Sequence, residues 1–249
     1  MTWQQDFIKN GYAVFPKLVP QHLVAAALDA VTEDLRTHYD PDQWQDYDSR
    51  SYCPTLRRAP VIMDLLFKSP VWDLLEEALG MDKLVPIGGA QIAIRQKHND
   101  DKESILPYHL DGVPDGLNGV EGNAIDNFTA LIGIFLTDIA RPYGGNLVVW
   151  PGSHRVIENY FREKGPEGML MSTPQVDPGE PKLIDASAGD VVLCHYQLLH
   201  GMASNTTDRD RIAVYFRSEF KDIGQRRYEL LTHMWRGWKI APPSESGDF

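Results

Sequence analysis

The chain has 249 residues, 43% of them hydrophobic and 24% charged, which excludes a disordered chain or a small disulfide scaffold. Its 24 basic and 35 acidic residues give a formal net charge of −11, which repels nucleic-acid phosphates and anionic lipids, so we expect no nucleic-acid or membrane partner. Cys53 and Cys194 are too few and too far apart for a thiolate zinc site and indicate reduced thiols. With no visible export signal and no apolar run near the roughly 20 residues of a membrane span, we expect a cytoplasmic protein.

The first 83 residues are predicted to be mostly helical. Residues 11–15 resemble a short strand. Apolar residues at helical spacing, or a proline tolerated in the first turn, predict helices over residues 20–35, 60–66 and 70–79. The last of these ends before Gly80, where a left-handed C-terminal cap costs little. Residues 38–58 show no period, so we predict an ordered loop or lid there.

From residue 84 onward, short runs rich in β-branched and aromatic residues are separated by turn formers. They predict strands near residues 85–97, 108–111, 126–137, 147–150, 182–185, 190–195, 200–203 and 211–220. About eight antiparallel strands with irregular connections are typical of a jelly-roll, a double-stranded β-helix like that of the cupins. We therefore expect a mainly β protein with N-terminal helices. One domain would span residues 1–249, with a helical part over 1–83, a jelly-roll core over 84–220 and a C-terminal extension over 221–249.

The residues that carry chemistry are His109, Asp111 and His200. In a strand, residues two apart share a face, so His109 and Asp111 would offer an imidazole and a carboxylate side by side. A hairpin-like approach through residues 191–199 would bring His200 to them. Two histidines and one carboxylate on one face leave three positions of an octahedral Fe(II) open. The tripeptide alone is a weak signal, and a surface histidine beside an aspartate is the alternative at this point.

The order of the surrounding segments resembles the phytanoyl-CoA dioxygenase family of Fe(II)/2-oxoglutarate oxygenases over most of the chain. Residues 7–14, FIKNGYAV, are similar to the opening helix and strand of the family, and residues 144–155, GGNLVVWPGSHR, give the most specific match. A distal histidine followed about eleven residues later by an arginine is similar to His200 and Arg211. The resemblance implies that His109, Asp111 and His200 bind the iron and that Arg211 binds the distal carboxylate of 2-oxoglutarate.

The alternation around Arg211 agrees with that role, because residues 211, 213, 215 and 217 share one face of a strand whose other face is apolar. A planar guanidinium binds a carboxylate with two parallel hydrogen bonds. An exposed Arg211 is the alternative, with Arg209 as the nearest rival anchor. Where family members often carry a hydroxyl residue two positions after the distal histidine, this chain has Met202. Gln91 and Lys97 lie in a segment from which the family draws co-substrate or substrate contacts, although alternation alone allows either to face solvent.

The resemblance therefore implies a dioxygenase that uses Fe(II), 2-oxoglutarate and dioxygen to hydroxylate a small molecule, releasing succinate and carbon dioxide. Related iron halogenases carry a small residue in place of the carboxylate, so Asp111 favours hydroxylation. Residues 38–58 and 112–127 are candidate lids over the substrate. His154 and His195 are predicted to be structural. The alternatives are a cupin-type metalloenzyme that does not use 2-oxoglutarate and a non-catalytic jelly-roll that binds a small molecule.

Overall fold

A computed structural model describes residues 2–96, 102–114, 120–139, 141–170 and 172–242. Its helices are α1 (Trp3–Asn10), α2 (Gln21–His38), α3 (Trp44–Ser49), α4 (Pro60–Phe67), α5 (Val71–Leu79), α6 (Ser153–Lys164) and α7 (Ile223–Thr232). Thr2 begins α1 with a reciprocal capping box with Gln5, and Gly11 ends it in the left-handed conformation. None of the helices in these ranges combines the length and the apolar character needed to cross a membrane.

The strands form two antiparallel sheets. They are β1 (Tyr12–Phe15), β2 (Gln91–Arg95), β3 (Ala130–Phe135), β4 (Leu147–Val149), β5 (Lys182–Leu183), β6 (Val191–His195), β7 (His200–Met202) and β8 (Arg211–Ser218). The larger sheet has the order β1-β6-β3-β8-β2 and the smaller one the order β5-β4-β7. Since neighbours in the larger sheet are distant in sequence, the chain crosses between sheets repeatedly, which places residues from both sheets around one interior.

Strand alternation divides the core into two clusters. On β8, Ile212, Val214 and Phe216 pack with the apolar residues of α2, α4 and α5. Ala213 and Tyr215, on the opposite face, join a second cluster that includes all of β4 from the smaller sheet. The larger sheet is thus covered by helices on one face and by the smaller sheet on the other, and the candidate site residues of β8 face the smaller sheet.

Three predictions about local structure were wrong, and two helices were missed. Residues 38–58 contain a 3-10 turn (Pro41–Gln43) and α3 rather than only a loop. Residues 108–111 form no strand: Leu106 donates to Met202 and His109 to His200, so the donors are three residues apart and their acceptors on β7 only two apart, and this extra residue interrupts the ladder. The approach to His200 is no hairpin, because β6 and β7 belong to different sheets. Helices α6 and α7 were not predicted at all.

Candidate active site

His109, Asp111 and His200 converge at the edge of the smaller sheet. The Nε2 atoms of His109 and His200 lie 3.5 and 3.6 Å from the same carboxylate oxygen, Oδ1 of Asp111. One ligand atom from each of the three side chains lies within 4.8 Å of the other two. The structure therefore brings the three side chains together, as the sequence predicts, in an arrangement that could hold a metal ion.

Backbone contacts hold each member of this group. His109 and His200 form an isolated antiparallel bridge, with the His109 N–H donating to the His200 carbonyl over 2.9 Å. The Tyr196 hydroxyl donates to the Asp111 carbonyl over 2.9 Å. The Nδ1–H of His200 donates to the Leu198 carbonyl over 3.0 Å, which leaves the lone pair of Nε2 directed at the group.

Arg217 binds the oxygen of Asp111 that the histidines do not face. Its Nη2 and Nε donate to Oδ2 over 2.7 and 3.1 Å, and Nη2 also donates to Oε1 of Gln91 over 2.9 Å. Burial alone would raise the pKa of Asp111, but Arg217 and the two histidines outweigh it and hold that pKa well below its usual range. The surrounding cavity walls reduce the solvation of the His109 ring, and together with the neighbouring His200 they lower its pKa, so this imidazole is neutral at neutral pH, the state that binds a metal.

A cavity of about 910 Å³ opens at the three side chains. The His109 side chain is 48% exposed, whereas that of Asp111 is only 14% exposed. Cavity walls come from α3 and the residue after it, from β2 and β8, and from the segment after Asp111, and the polar contributors include Asp48, Arg50, Gln91, Arg95, Arg217 and Glu219. A small molecule in this cavity would contact both the candidate metal ligands and several charged side chains.

Arg211 is 1% exposed and lies behind the cavity wall rather than on it. Its Nε donates to the Gly145 carbonyl over 2.8 Å, Nη1 to the Ala93 carbonyl over 3.3 Å, and Nη2 to the sulfur of Met202 over 3.5 Å. Met202 and Ala93 both line the cavity. A guanidinium has five N–H donors, so two remain after these three contacts. Burial lowers the pKa of Arg211, and no carboxylate of the described residues is bonded to it.

The glycine-rich motif of residues 144–155 leaves the space in which the Arg211 side chain lies. Gly145 has φ +77°, and a Cβ there would lie 3.1 Å from the Cβ of Arg211 and 2.9 Å from that of Arg95. Only glycine fits here without displacing the two arginines. The rival anchor, Arg209, is exposed and does not line the cavity.

Of the other predicted contacts, Gln91 lies in the cavity wall, where it accepts from Arg217. Lys97 lies outside the described residues. His154 is fully buried and donates to the Ile8 carbonyl over 3.2 Å, and His195 donates to the Met234 carbonyl over 3.1 Å. Neither of these histidines lines the cavity, which agrees with the structural roles predicted for them.

Two residues near the site were not assigned a role from the sequence, namely Arg217 and Tyr215. The alternation that places residues 213, 215 and 217 on the face of Arg211 is the signal that points to them. What alternation could not show is that Arg217 reaches Asp111, because that residue is 106 positions away in the chain.

Two histidines and one carboxylate that can bind one face of a metal ion are the ligand set found in the class of non-haem Fe(II) oxygenases. The chain belongs to the phytanoyl-CoA dioxygenase (PhyH) family, whose model matches residues 7–213. No curated protein matches the sequence.

Solved structures with similar folds include HygX from Streptomyces hygroscopicus, with nickel and 2-oxoglutarate bound. It is 20% identical, with 89% of this chain and 88% of that chain covered and a TM-score of 0.57. AviO1 from Streptomyces viridochromogenes Tue57 is 19% identical, with 88% and 94% covered and a TM-score of 0.58. The α-ketoglutarate-dependent carbocyclase SnoK from nogalamycin biosynthesis is 18% identical, with 90% and 89% covered and a TM-score of 0.54.

Proposed function

We propose that this protein is a non-haem Fe(II)- and 2-oxoglutarate-dependent dioxygenase that hydroxylates a small molecule and releases succinate and carbon dioxide. The observation that carries the proposal is the convergence of His109, Asp111 and His200 on one cavity, with the buried cation of Arg211 behind its wall. We also propose that the two sheets are the two halves of a double-stranded β-helix, which the apolar cluster shared between them supports.

The three side chains fit an Fe(II) ion. Two imidazole nitrogens and one carboxylate form the facial ligand set of non-haem Fe(II) oxygenases, which leaves positions for a chelating 2-oxo acid and for dioxygen. Arg217 occupies Oδ2 of Asp111, so the carboxylate would bind the metal through Oδ1 alone. The bond from His200 Nδ1 to the Leu198 carbonyl fixes the ring so that Nε2 is the ligand atom.

The surroundings of Arg211 fit a dicarboxylate. The guanidinium is buried, two of its five N–H donors remain after its three contacts, and it donates to the sulfur of Met202, whose side chain lines the cavity. A methionine side chain has three rotatable bonds, so rotation of Met202 would expose the guanidinium without backbone movement. Arg211 would then bind the distal carboxylate of 2-oxoglutarate while the other end of the molecule reaches the metal.

The substrate would enter the same cavity, whose volume of about 910 Å³ suits a small molecule together with the co-substrate. Its walls include Asp48 and Arg50 from residues 38–58, and Val113 and Pro114 from residues 112–127. The described parts of both candidate lids therefore border the space that a substrate would occupy, which supports a role for them in substrate contact; residues 115–119 of the second lid lie outside the described residues.

Bound iron, with 2-oxoglutarate and dioxygen, supplies the oxidation of an unactivated C–H bond that side chains cannot perform. The residues of this chain bind the metal and the co-substrate and exclude bulk water from them. Asp111 occupies the position that a halide would need, which favours hydroxylation over halogenation. Since the carbocyclase SnoK has a similar fold, the ligand set rather than the fold supports hydroxylation over halogenation.

The test is anaerobic loading with Fe(II), followed by 2-oxoglutarate, labelled dioxygen and a set of candidate small molecules, with succinate and product mass as the readouts. We expect succinate release that depends on the metal, and one labelled oxygen in the product even with excess chloride. His200→Ala should bind neither metal nor co-substrate. A wild-type protein that binds metal but leaves 2-oxoglutarate intact would instead support a cupin-type enzyme, and one that binds no metal would support a non-catalytic jelly-roll.

A further inference from the structure

Tyr215 carries a buried hydroxyl that the fold leaves without a partner. The residue is 6% exposed and lines the cavity, yet its Oη makes no hydrogen bond with any described residue. An unpaired buried hydroxyl reduces stability, and most such groups in folded proteins are bonded. A ligand that accepts from Tyr215 in the cavity would account for this hydroxyl.

The ring is held in this position by its neighbours in the larger sheet. Tyr215 pairs with Gly133 of β3, and a Cβ at Gly133 would lie 2.7 Å from the Tyr215 ring and 2.8 Å from the side chain of Val192. The absent side chain at Gly133 creates the space in which the ring lies. This packing restrains the ring, so the hydroxyl cannot easily turn toward a protein acceptor elsewhere.

The charges around Tyr215 favour an anionic acceptor. Arg211 and Arg217 lie on the same face of β8, four residues before it and two residues after it. Burial raises the pKa of Tyr215 and Arg211 lowers it, with a smaller raising contribution from Asp111, so the group is a neutral O–H donor at neutral pH. The hydroxyl therefore lies within the fields of the proposed anchor and of the candidate metal group.

We propose that the Tyr215 hydroxyl donates a hydrogen bond to a carboxylate oxygen of the 2-oxo dicarboxylate, as a second binding group beside Arg211. The inference rests on the proposed function, because it takes 2-oxoglutarate as the occupant of this part of the cavity. Tyr215 is thus a co-substrate-binding residue, and its hydroxyl supplies a donor that the thioether of Met202 cannot supply.

The experiment compares Tyr215→Phe with wild type as Ni(II)-loaded proteins, which bind ligands without turnover. Calorimetry gives the Kd for 2-oxoglutarate, and thermal unfolding without 2-oxoglutarate gives the stability. We expect affinity to fall by roughly tenfold or more, the usual effect of losing one hydrogen bond to a charged group. The melting temperature should not fall, because the lost hydroxyl has no protein partner. Tyr12→Phe is the control, since Tyr12 belongs to the same apolar cluster but does not line the cavity.

The outcomes separate this inference from the function on which it rests. A wild-type protein that binds 2-oxoglutarate together with an equally tight Tyr215→Phe variant would overturn the role of Tyr215 and leave the proposed function intact. A variant that loses stability along with affinity would show that the hydroxyl supports the fold, which also overturns the inference. Failure of the Ni(II)-loaded wild-type protein to bind 2-oxoglutarate would overturn both.

Discussion

Replacement of Arg211 by methionine tests the proposed co-substrate anchor most directly. Methionine keeps much of the side-chain length and removes the charge. Because Arg211 is 1% exposed, its pairing with a carboxylate would be almost fully desolvated, and loss of one partner of such a pair costs about 3 kcal/mol. We therefore expect the affinity for 2-oxoglutarate to fall by about a hundredfold. Arg211→Lys should also bind weakly, because an ammonium cannot reproduce the two parallel bonds of the guanidinium.

The stability of the ligand-free protein should change much less than its affinity for 2-oxoglutarate. Arg211→Met leaves the carbonyls of Gly145 and Ala93 without their side-chain donor, which destabilises the fold, but it also removes a buried charge whose pKa burial has lowered. These effects oppose each other, and we expect a net loss of about 1 kcal/mol, or about 2–4 °C in melting temperature.

The assay is calorimetric titration of Ni(II)-loaded protein with 2-oxoglutarate, accompanied by a separate titration of the metal-free protein with Ni(II). Metal affinity should be nearly unchanged in Arg211→Met, since Arg211 bonds none of the three candidate ligands. Arg209→Met is the matched control, because Arg209 is exposed and lies outside the cavity wall. If Arg209→Met abolished binding of the co-substrate and Arg211→Met did not, the anchor would have been assigned to the wrong arginine.

Two further predictions concern stability. Arg217→Met should lower the free energy of unfolding of the metal-free protein by about 2 kcal/mol, a value reduced for the 37% exposure of Arg217, because Asp111 loses its cation. Saturating Ni(II) should restore most of that loss in urea denaturation, and an equal loss with and without metal would contradict the reasoning. Burial lowers the pKa of His195 from 6.5 to about 4, so the folded protein holds this imidazole neutral. The contribution of His195 to stability should therefore be full above about pH 6.5 and fall by up to about 3 kcal/mol as the pH drops toward 4, and a His195→Gln variant with a pH dependence as steep as that of the wild type would refute this assignment.

Local patterns predicted most of the secondary structure. Helical spacing and proline positions located α2, α4 and α5, and alternation located β8 with its two faces, because these signals depend on residues only a few positions apart. The sequence analysis missed α6, whose first residues fall inside the glycine-rich motif that was used only for the family resemblance. It predicted a strand at His109 where only one bridge forms, since an extra residue between Leu106 and His109 interrupts the pairing with β7.

The candidate site residues were selected from the sequence alone; the structure brings His109, Asp111 and His200 together, and the role of Arg211 stays a prediction. His109, Asp111, His200 and Arg211 could be selected from their spacing and from the resemblance of the flanking segments, because ligand chemistry restricts which residue types can serve.

Only the tertiary structure decided how these residues are supported. It showed that Arg217 binds the second oxygen of Asp111, that Arg211 contacts the sulfur of Met202, and that Gly133 makes room for the ring of Tyr215. Each of these contacts joins residues that lie on different strands or loops, or depends on a side-chain rotamer. Local periodicity contains no information about such contacts, because they are fixed by how the two sheets pack together.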